Sequence, residues 1–450
     1  MVNSQLSEKQ TKMVTFKKLT KQVLGVVKIK NQPLKNDFNK ISFLKFLKIY
    51  KNIFQLLGII AYEGSKRPLF YGQRIWCILV LALIWAICTF EICSIPLALP
   101  TLEKGLYFCE LFLYSLLCAV IYVNGFMKSL QFKNICGQFF KLHGQLHICS
   151  SKFIRLKGSG NALFKRLKRE MAALTIGLLL FEIACIAANS VYRTFSGWWM
   201  LRSFAAYNLP NILINLNLCL YWLALRGIAL LFTWANNILE SLRQASKRQE
   251  QKQEHSDTLL WFQKEFNTHT YQKPSPSGKI HEIFLALSQA NSDLSDLLSD
   301  IVAAFRIILV LNFLTSFLVL TIEFFELYKY FDNPTLNEIK LVTFKLIWLI
   351  LHGGRIFFVL IANNAITTQK CRTLYILHGL PLEIFDSENN ITQFILQLMV
   401  RKHTETACGM VDLDLMFLLG IINALAMYII FLIQIDLGNV SMSNTNATVT

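Results

Sequence analysis

Acidic residues are scarce in this 450-residue sequence, 28 Asp and Glu against 45 Lys and Arg, and charged residues together make up only 16%. Soluble domains carry about 25% charge. There is no Gly-rich phosphate loop, no HExxH, no GxSxG and no His/Cys cluster at metal-ligand spacing, so neither an enzyme's catalytic constellation nor a metal or other cofactor site is expected. The eight histidines, His352, His378 and His403 among them, are scattered singly. The eleven cysteines include no CxxC pair and build no dense extracellular framework. A Cys93–Cys109 bridge is conceivable across one outer turn, but plain membrane packing accounts better for both thiols. No apolar run of signal-peptide type precedes Ile75, so the first apolar block is expected to act as an uncleaved anchor.

What the chain has instead is hydrophobicity gathered into blocks. Apolar residues reach 54%, aromatics 13% and mean hydropathy +0.43. A helix needs about 20 apolar residues to cross the hydrocarbon core. Seven segments qualify: Ile75–Leu99, Gly105–Phe126, Met171–Tyr192, Phe204–Asn236, Ala303–Phe325, Lys340–Ala362 and Leu413–Ile435. The expected fold is an all-α membrane protein whose termini, with an odd number of spans, lie on opposite sides.

Charge decides which side is which. Lys and Arg number 15 in residues 1–74, 10 in 127–170, 7 in 237–302 and 4 in 363–412, against four in all the alternate connections and the tail. The positive-inside rule places the N-terminus in the cytoplasm and the C-terminus outside. Two glycosylation acceptors agree: Asn439 and Asn446 both head Asn-x-Ser/Thr triplets in the tail, while Asn390-Ile391-Thr392 falls on the cytoplasmic side and should stay bare. The net charge of +17 is thus explained by topology, and no nucleic-acid partner is inferred from it.

Taken in order, residues 1–74 form a basic cytoplasmic region. Within it Ile41 to Leu57, alternating with Lys40, Lys45, Lys48 and Lys51, reads as an amphipathic helix on the inner leaflet. Residues 75–362 hold the first six spans and their loops; the stretch 127–170 reads as a basic loop ending in Lys165-Arg166-Leu167-Lys168-Arg169. The pattern of the fourth span runs on through Leu239 and Leu242, and a break follows at Pro274-Ser275-Pro276-Ser277-Gly278. Ile280, Ile283, Leu287, Leu294, Leu297, Leu298 and Ile301 then mark an amphipathic helix leading into the fifth span. Its partner face comes from 363–412, through Ile366, Leu374, Ile391, Phe394, Ile395, Leu398 and Met399. Extensions of spans four to six should therefore build a cytosolic helical bundle, which suits subunit assembly better than catalysis.

The last span, 413–435, carries the most informative pattern. Met427, Tyr428, the apolar run Ile429 to Ile433, Gln434 and Ile435 resemble the insect gustatory receptor signature, Thr-Tyr, five hydrophobic residues and Gln-Phe, departing from it at Met427 and Ile435. Ala407-Cys408-Gly409 and Asp412-Leu413-Asp414 resemble the family's approach to this span. The resemblance covers the whole chain in topology and about its last fifty residues in motif. It implies a ligand-gated, non-selective cation channel of four subunits, homomeric or shared with other gustatory receptors, in the plasma membrane of chemosensory neurons. In such a channel the seventh span lines the pore, with Gln434 in a polar ring and Ile430, Phe431 or Ile433 as a constriction beside Tyr428. Residues 436–450 would form the extracellular tail.

For the ligand, the expected pocket lies in the outer halves of spans two to six, which hold Glu110, Tyr114, Asn189, Tyr192, Tyr207, Asn211, Asn215, Thr321, Glu323, Lys345 and Trp348. Each one singly reads as a structural hydrogen bond or an interfacial group; their clustering points to a site. Aromatic walls with amides and acids suit a sugar and a bitter plant compound equally. Arg226, Arg306 and Arg355 read as snorkelling anchors at the cytoplasmic ends of their spans. Glu91 and Glu182 lie deeper, with Lys345 a candidate partner for one of them. The competing readings are an odorant-type receptor of the same superfamily and a G-protein-coupled receptor. The latter needs an external N-terminus and lacks here both Asp/Glu-Arg-Tyr after span three and Asn-Pro-x-x-Tyr in span seven. A transporter would predict internal repeats, and none is seen.

Overall fold

Apolar blocks of this length can satisfy their backbone in lipid only as helices, and helices are what form. The computed structural model describes residues 67–93, 101–153, 159–192, 204–263, 277–331, 336–380, 390–401, 405–409 and 411–447, together with Lys48, Asn52, Ile53 and Leu57. The expected N-terminal amphipathic helix lies outside these residues but for those last four. The helices are α1 (Arg67–Cys93), α2 (Thr101–Met127), α3 (Ser129–Phe153), α4 (Ser159–Tyr192), α5 (Leu209–Gln263), α6 (Ser277–Phe331), α7 (Leu336–His378), α8 (Asn390–Val400) and α9 (Leu415–Ala447). One π turn, Phe204–Asn208, opens α5. Seven of them, all but α3 and α8, are long and apolar enough to cross a membrane.

Two helices are far longer than a bilayer requires. α5 and α6 each run 55 residues, which at 1.5 Å per residue is about 80 Å against a hydrocarbon core of about 30 Å. Their extensions, with those of α7 and with α8, form the expected bundle at the end the charge count assigns to the cytosol. Ile283, Leu287, Leu294, Leu297, Leu298 and Ile301 are all buried there. Phe284 meets Phe394 of α8 edge to face, with centroids 5.8 Å apart. Asn236 of α5 donates to the Gln369 carbonyl of α7 at 3.0 Å and accepts from Thr373 at 2.7 Å. Arg401 reaches back to Ser292 and to Asp296 of α6. Met399, expected on the covered face, is exposed instead.

The stretch 127–170 departs from the loop reading. α2 passes through a single turn at Lys128 into α3, a 25-residue helix. Its polar composition hides a narrow apolar stripe, of which Ile135, Leu142 and Leu146 are buried. Lys128 explains why the chain turns there: its ammonium donates to the carbonyls of Ala303 and Ala304 at 2.9 and 3.1 Å, beside a 2.9 Å bond from Asn124 to Ala304. Burial, with Arg306 nearby, holds that ammonium below the usual lysine range.

The approach to α9 is a small hairpin, Thr406–Ala407 paired antiparallel with Val411–Asp412. Its loop takes Cys408 and Gly409 through positive φ, 55° and 70°; at the second position glycine removes the steric cost. Cys93 and Cys109 are both free thiols, so the conceivable bridge does not form.

Gly227 lies where α5 packs tightly on α3, since a Cβ there would lie 2.9 Å from the Phe139 ring. Gly227→Val should therefore destabilise the detergent-solubilised protein by about 1–3 kcal/mol, read as a lower melting midpoint. Gly144→Ala, where a Cβ meets nothing within 4 Å, should leave the midpoint unchanged or raise it.

Candidate ligand pocket and pore helix

The polar groups inside the spans do not act alone. α7 lies against both α5 and α6, and polar residues recur along its packed faces. Nearest the α6–α7 connection, Lys345 lies 3.1 Å from Glu323 and also pairs with Glu326, both on α6. One turn on, the Trp348 indole donates to Glu110 of α2 at 3.4 Å. A further turn on, His352 Nε2 and the Tyr114 hydroxyl are 2.8 Å apart, with their rings stacked at 6.0 Å. Then comes Arg355, whose Nε donates to Asn215 Oδ1 at 2.7 Å and whose Nη2 donates to Asn211 Oδ1 at 2.6 Å.

Asn215 completes the arrangement. Its Nδ2 donates to Glu182 of α4 at 2.6 Å while its oxygen faces Arg355. The amide dipole thus lies between a cation and an anion, and only this orientation satisfies both. Arg355 is 4% exposed, so it does not snorkel as the sequence reading expects; α5 instead brings it acceptors, through Asn211 and Asn215. Lys345 pairs with Glu323 and Glu326 rather than with Glu91 or Glu182. Arg226 pairs with Glu170 of α4 at 2.6 Å.

Of the eleven pocket candidates, Glu110, Tyr114, Asn211, Asn215, Glu323, Lys345 and Trp348 enter this network. Tyr207 lends its carbonyl to Asn211 at 2.9 Å. Thr321 bonds back within its own helix, to the Phe317 carbonyl. The side chains of Asn189, Tyr192, Asn439 and Asn446 lie outside the described residues. Glu182 and Glu326 also join the network, and on α7 the members absent from the sequence-based candidates are His352 and Arg355. Their signal was present, for Lys345, Trp348, His352 and Arg355 follow a three- and four-residue spacing on one helix.

α9 is the least covered span. Only 11% of Leu415–Ile435 is buried, against 17% of Phe164–Ala187 and 67% of Phe204–Ala245. One side is anchored, with Phe417 against Phe313 and Tyr428 against Phe317 of α6, at 5.3 and 5.6 Å between centroids. The other side carries Asn423, Met427, Ile430 and Gln434, all exposed. At 3.6 residues per turn these four fall within roughly 60° of one another. Phe431 flanks the stripe, uncovered, and Ile433 flanks it on the other side, half-buried. Tyr428 points away from it toward α6.

This architecture, seven membrane-length helices with a polar network between them, is that of a polytopic membrane protein. The family model of the 7tm chemosensory receptors matches residues 47–439. The chain is 26% identical over 392 residues to gustatory receptor 59e of Drosophila melanogaster, covering 86% of this chain and 93% of that one. It is 25% identical over 275 residues to gustatory receptor 59f of the same fly, 60% of each chain. Among solved structures, the olfactory receptor OR5 of Machilis hrabei superposes with a TM-score of 0.61 at 12% identity, covering 88% of this chain and 99% of that one. The same receptor in complex with eugenol gives 0.58 at 12% identity, with 88% and 99% covered. The chain belongs to the 7tm chemosensory receptor family, among its insect gustatory receptors. That is a receptor family and not an enzyme family.

Arg355→Met would leave Glu182 buried with its amide relay broken, and removing one partner of a buried pair costs about 3–5 kcal/mol. The melting midpoint and surface expression should both fall. Adding Glu182→Gln should recover part of the loss; equal instability in single and double variants would mean that the two charges are not coupled.

Proposed function

We propose that the protein is a gustatory receptor working as a tetrameric, ligand-gated, non-selective cation channel in the plasma membrane of chemosensory neurons. A small tastant, a sugar or a bitter plant compound, opens it from the outer half of the bundle. The observation that carries this reading is the uncovered stripe of α9. An amide facing hydrocarbon is costly, and α9 exposes two on one face, Asn423 and Gln434, three turns apart with Met427 and Ile430 between them. Such a face fits water or a neighbouring copy of α9 far better than lipid. Four copies around one axis would make two amide rings with an apolar constriction between, a geometry that can gate by dewetting.

Assembly is supported at the opposite end. Tyr375, Leu396, Met399 and Val400 are exposed apolar residues on the extensions beyond the membrane-length segments. In the charge-derived orientation they belong to a cytosolic anchor holding the subunits together, with Gln434 toward the outside and Asn439 and Asn446 as glycan acceptors beyond it. Permeant cations and the lipid bilayer complete the partners.

Current recording from expressed protein during a tastant panel tests the reading. Asn423→Leu extends the apolar constriction and should reduce evoked current at unchanged surface expression, and Gln434→Ala should alter permeation or gating. Wild-type currents from both variants would remove α9 from the pore.

A further inference from the structure

The network along α7 leaves one set of polar groups without protein partners, and the register of α6 against α7 places them together. Lys345 meets Glu323 at 3.1 Å, fixing the level at which these two antiparallel helices face each other. Seven residues is close to two turns, about 10 Å along the axis, and brings a side chain back to within roughly 20° of the same face. Seven residues on from Lys345 is His352, and seven before Glu323 is Ser316, with Asn312 one turn further. His352, Ser316 and Asn312 are each 0% exposed.

All three carry hydrogen-bonding atoms that no protein group meets: His352 Nδ1, Ser316 Oγ, and both Nδ2 and Oδ1 of Asn312. Arg355, one turn beyond His352, has its Nη1 in the same state while Nε and Nη2 are engaged. Buried polar groups are as a rule paired, and a layer of four that are not marks a place where something polar binds.

The chemistry of these atoms selects the ligand. Asn312 offers a donor and an acceptor, Ser316 can serve as either, and Arg355 can only donate. A hydroxyl, which both donates and accepts, complements such a mixture. A protonated amine does not, since the one charge in the layer is the Arg355 guanidinium. The acids nearer the α6–α7 connection do not change this: Glu323 and Glu326 hold Lys345, and Glu110 holds the Trp348 indole. Tyr114 and Trp348 flank His352, with ring centroids at 6.0 and 6.1 Å, and add an aromatic surface.

We infer that Asn312, Ser316, His352 and Arg355 form the deep end of the ligand pocket and bind an uncharged, hydroxyl-bearing small molecule. The inference rests on the receptor reading above and narrows it, setting glycosides and polyols apart from cationic alkaloids.

Thermal melting of the purified full-length protein tests it, with glycerol, myo-inositol, sucrose and salicin as neutral probes and choline and quinine as cationic ones. The neutral group should contain probes that raise the midpoint saturably. Ser316→Ala and Asn312→Ala should each weaken that binding about tenfold. Neither should lower the midpoint of the ligand-free protein, because each removes a buried polar group that has no partner. A rise with quinine or choline alone, no rise with any probe, or full binding in both alanine variants would overturn the assignment. Because the readout is binding, a protein that binds salicin and passes no current would sink the channel reading and leave this one standing. Current evoked by the amines alone would do the reverse.

Discussion

A guanidinium held inside a membrane bundle constrains everything around it. Arg355 is charged at any physiological pH, so the helices beside it must supply acceptors. α5 does so through Asn211 and Asn215, and α4 through Glu182 behind Asn215. This one side chain therefore sets the relative height of three spans. The same logic repeats toward the α6–α7 connection, where Lys345 joins α7 to α6 and Trp348 joins it to α2. Apolar packing is indifferent to sliding by a turn; these charged contacts are not, and they give the bundle a single register.

How much of this could be read from residues alone depended on whether the signal was local. The seven spans were legible because crossing lipid demands about 20 apolar residues in a row, and such runs are visible without any partner. The bundle beyond them was legible from Ile283, Leu287 and Leu294, whose spacing presents one apolar face. The α3 helix was not, because its apolar stripe is narrow and a segment rich in lysine, arginine and glycine reads as loop. Pairings across helices were least legible. Sequence alone offers Lys345 either Glu91 or Glu182, but its partners are Glu323 and Glu326, which sit one turn apart on α6. Arg355 reads as an interface anchor because nothing in the sequence tells that Asn211 and Asn215, themselves one turn apart, face it.

The proposed ligand layer and the proposed pore helix meet through α6. By the helical register set at Glu323, Ser316 falls on the α7 side, and Phe317, the next residue, packs on Tyr428 of α9; one turn earlier Asn312 and Phe313 repeat the arrangement, with Phe313 on Phe417. Consecutive residues of a helix point about 100° apart, so this single element presents one face to the polar layer and another to the uncovered span. Interfaces of interlocked side chains shift between discrete arrangements rather than deforming smoothly. A change in how α6 seats against α7 must therefore be felt at the two aromatic contacts that hold α9. That continuity gives the gating reading a physical path through named residues, and it assigns Tyr428 to it. Sequence reasoning placed this tyrosine in the pore beside Gln434. Its contact with Phe317, with 55% of the residue still exposed, links the span that lines the proposed pore to the helix that carries the proposed ligand layer.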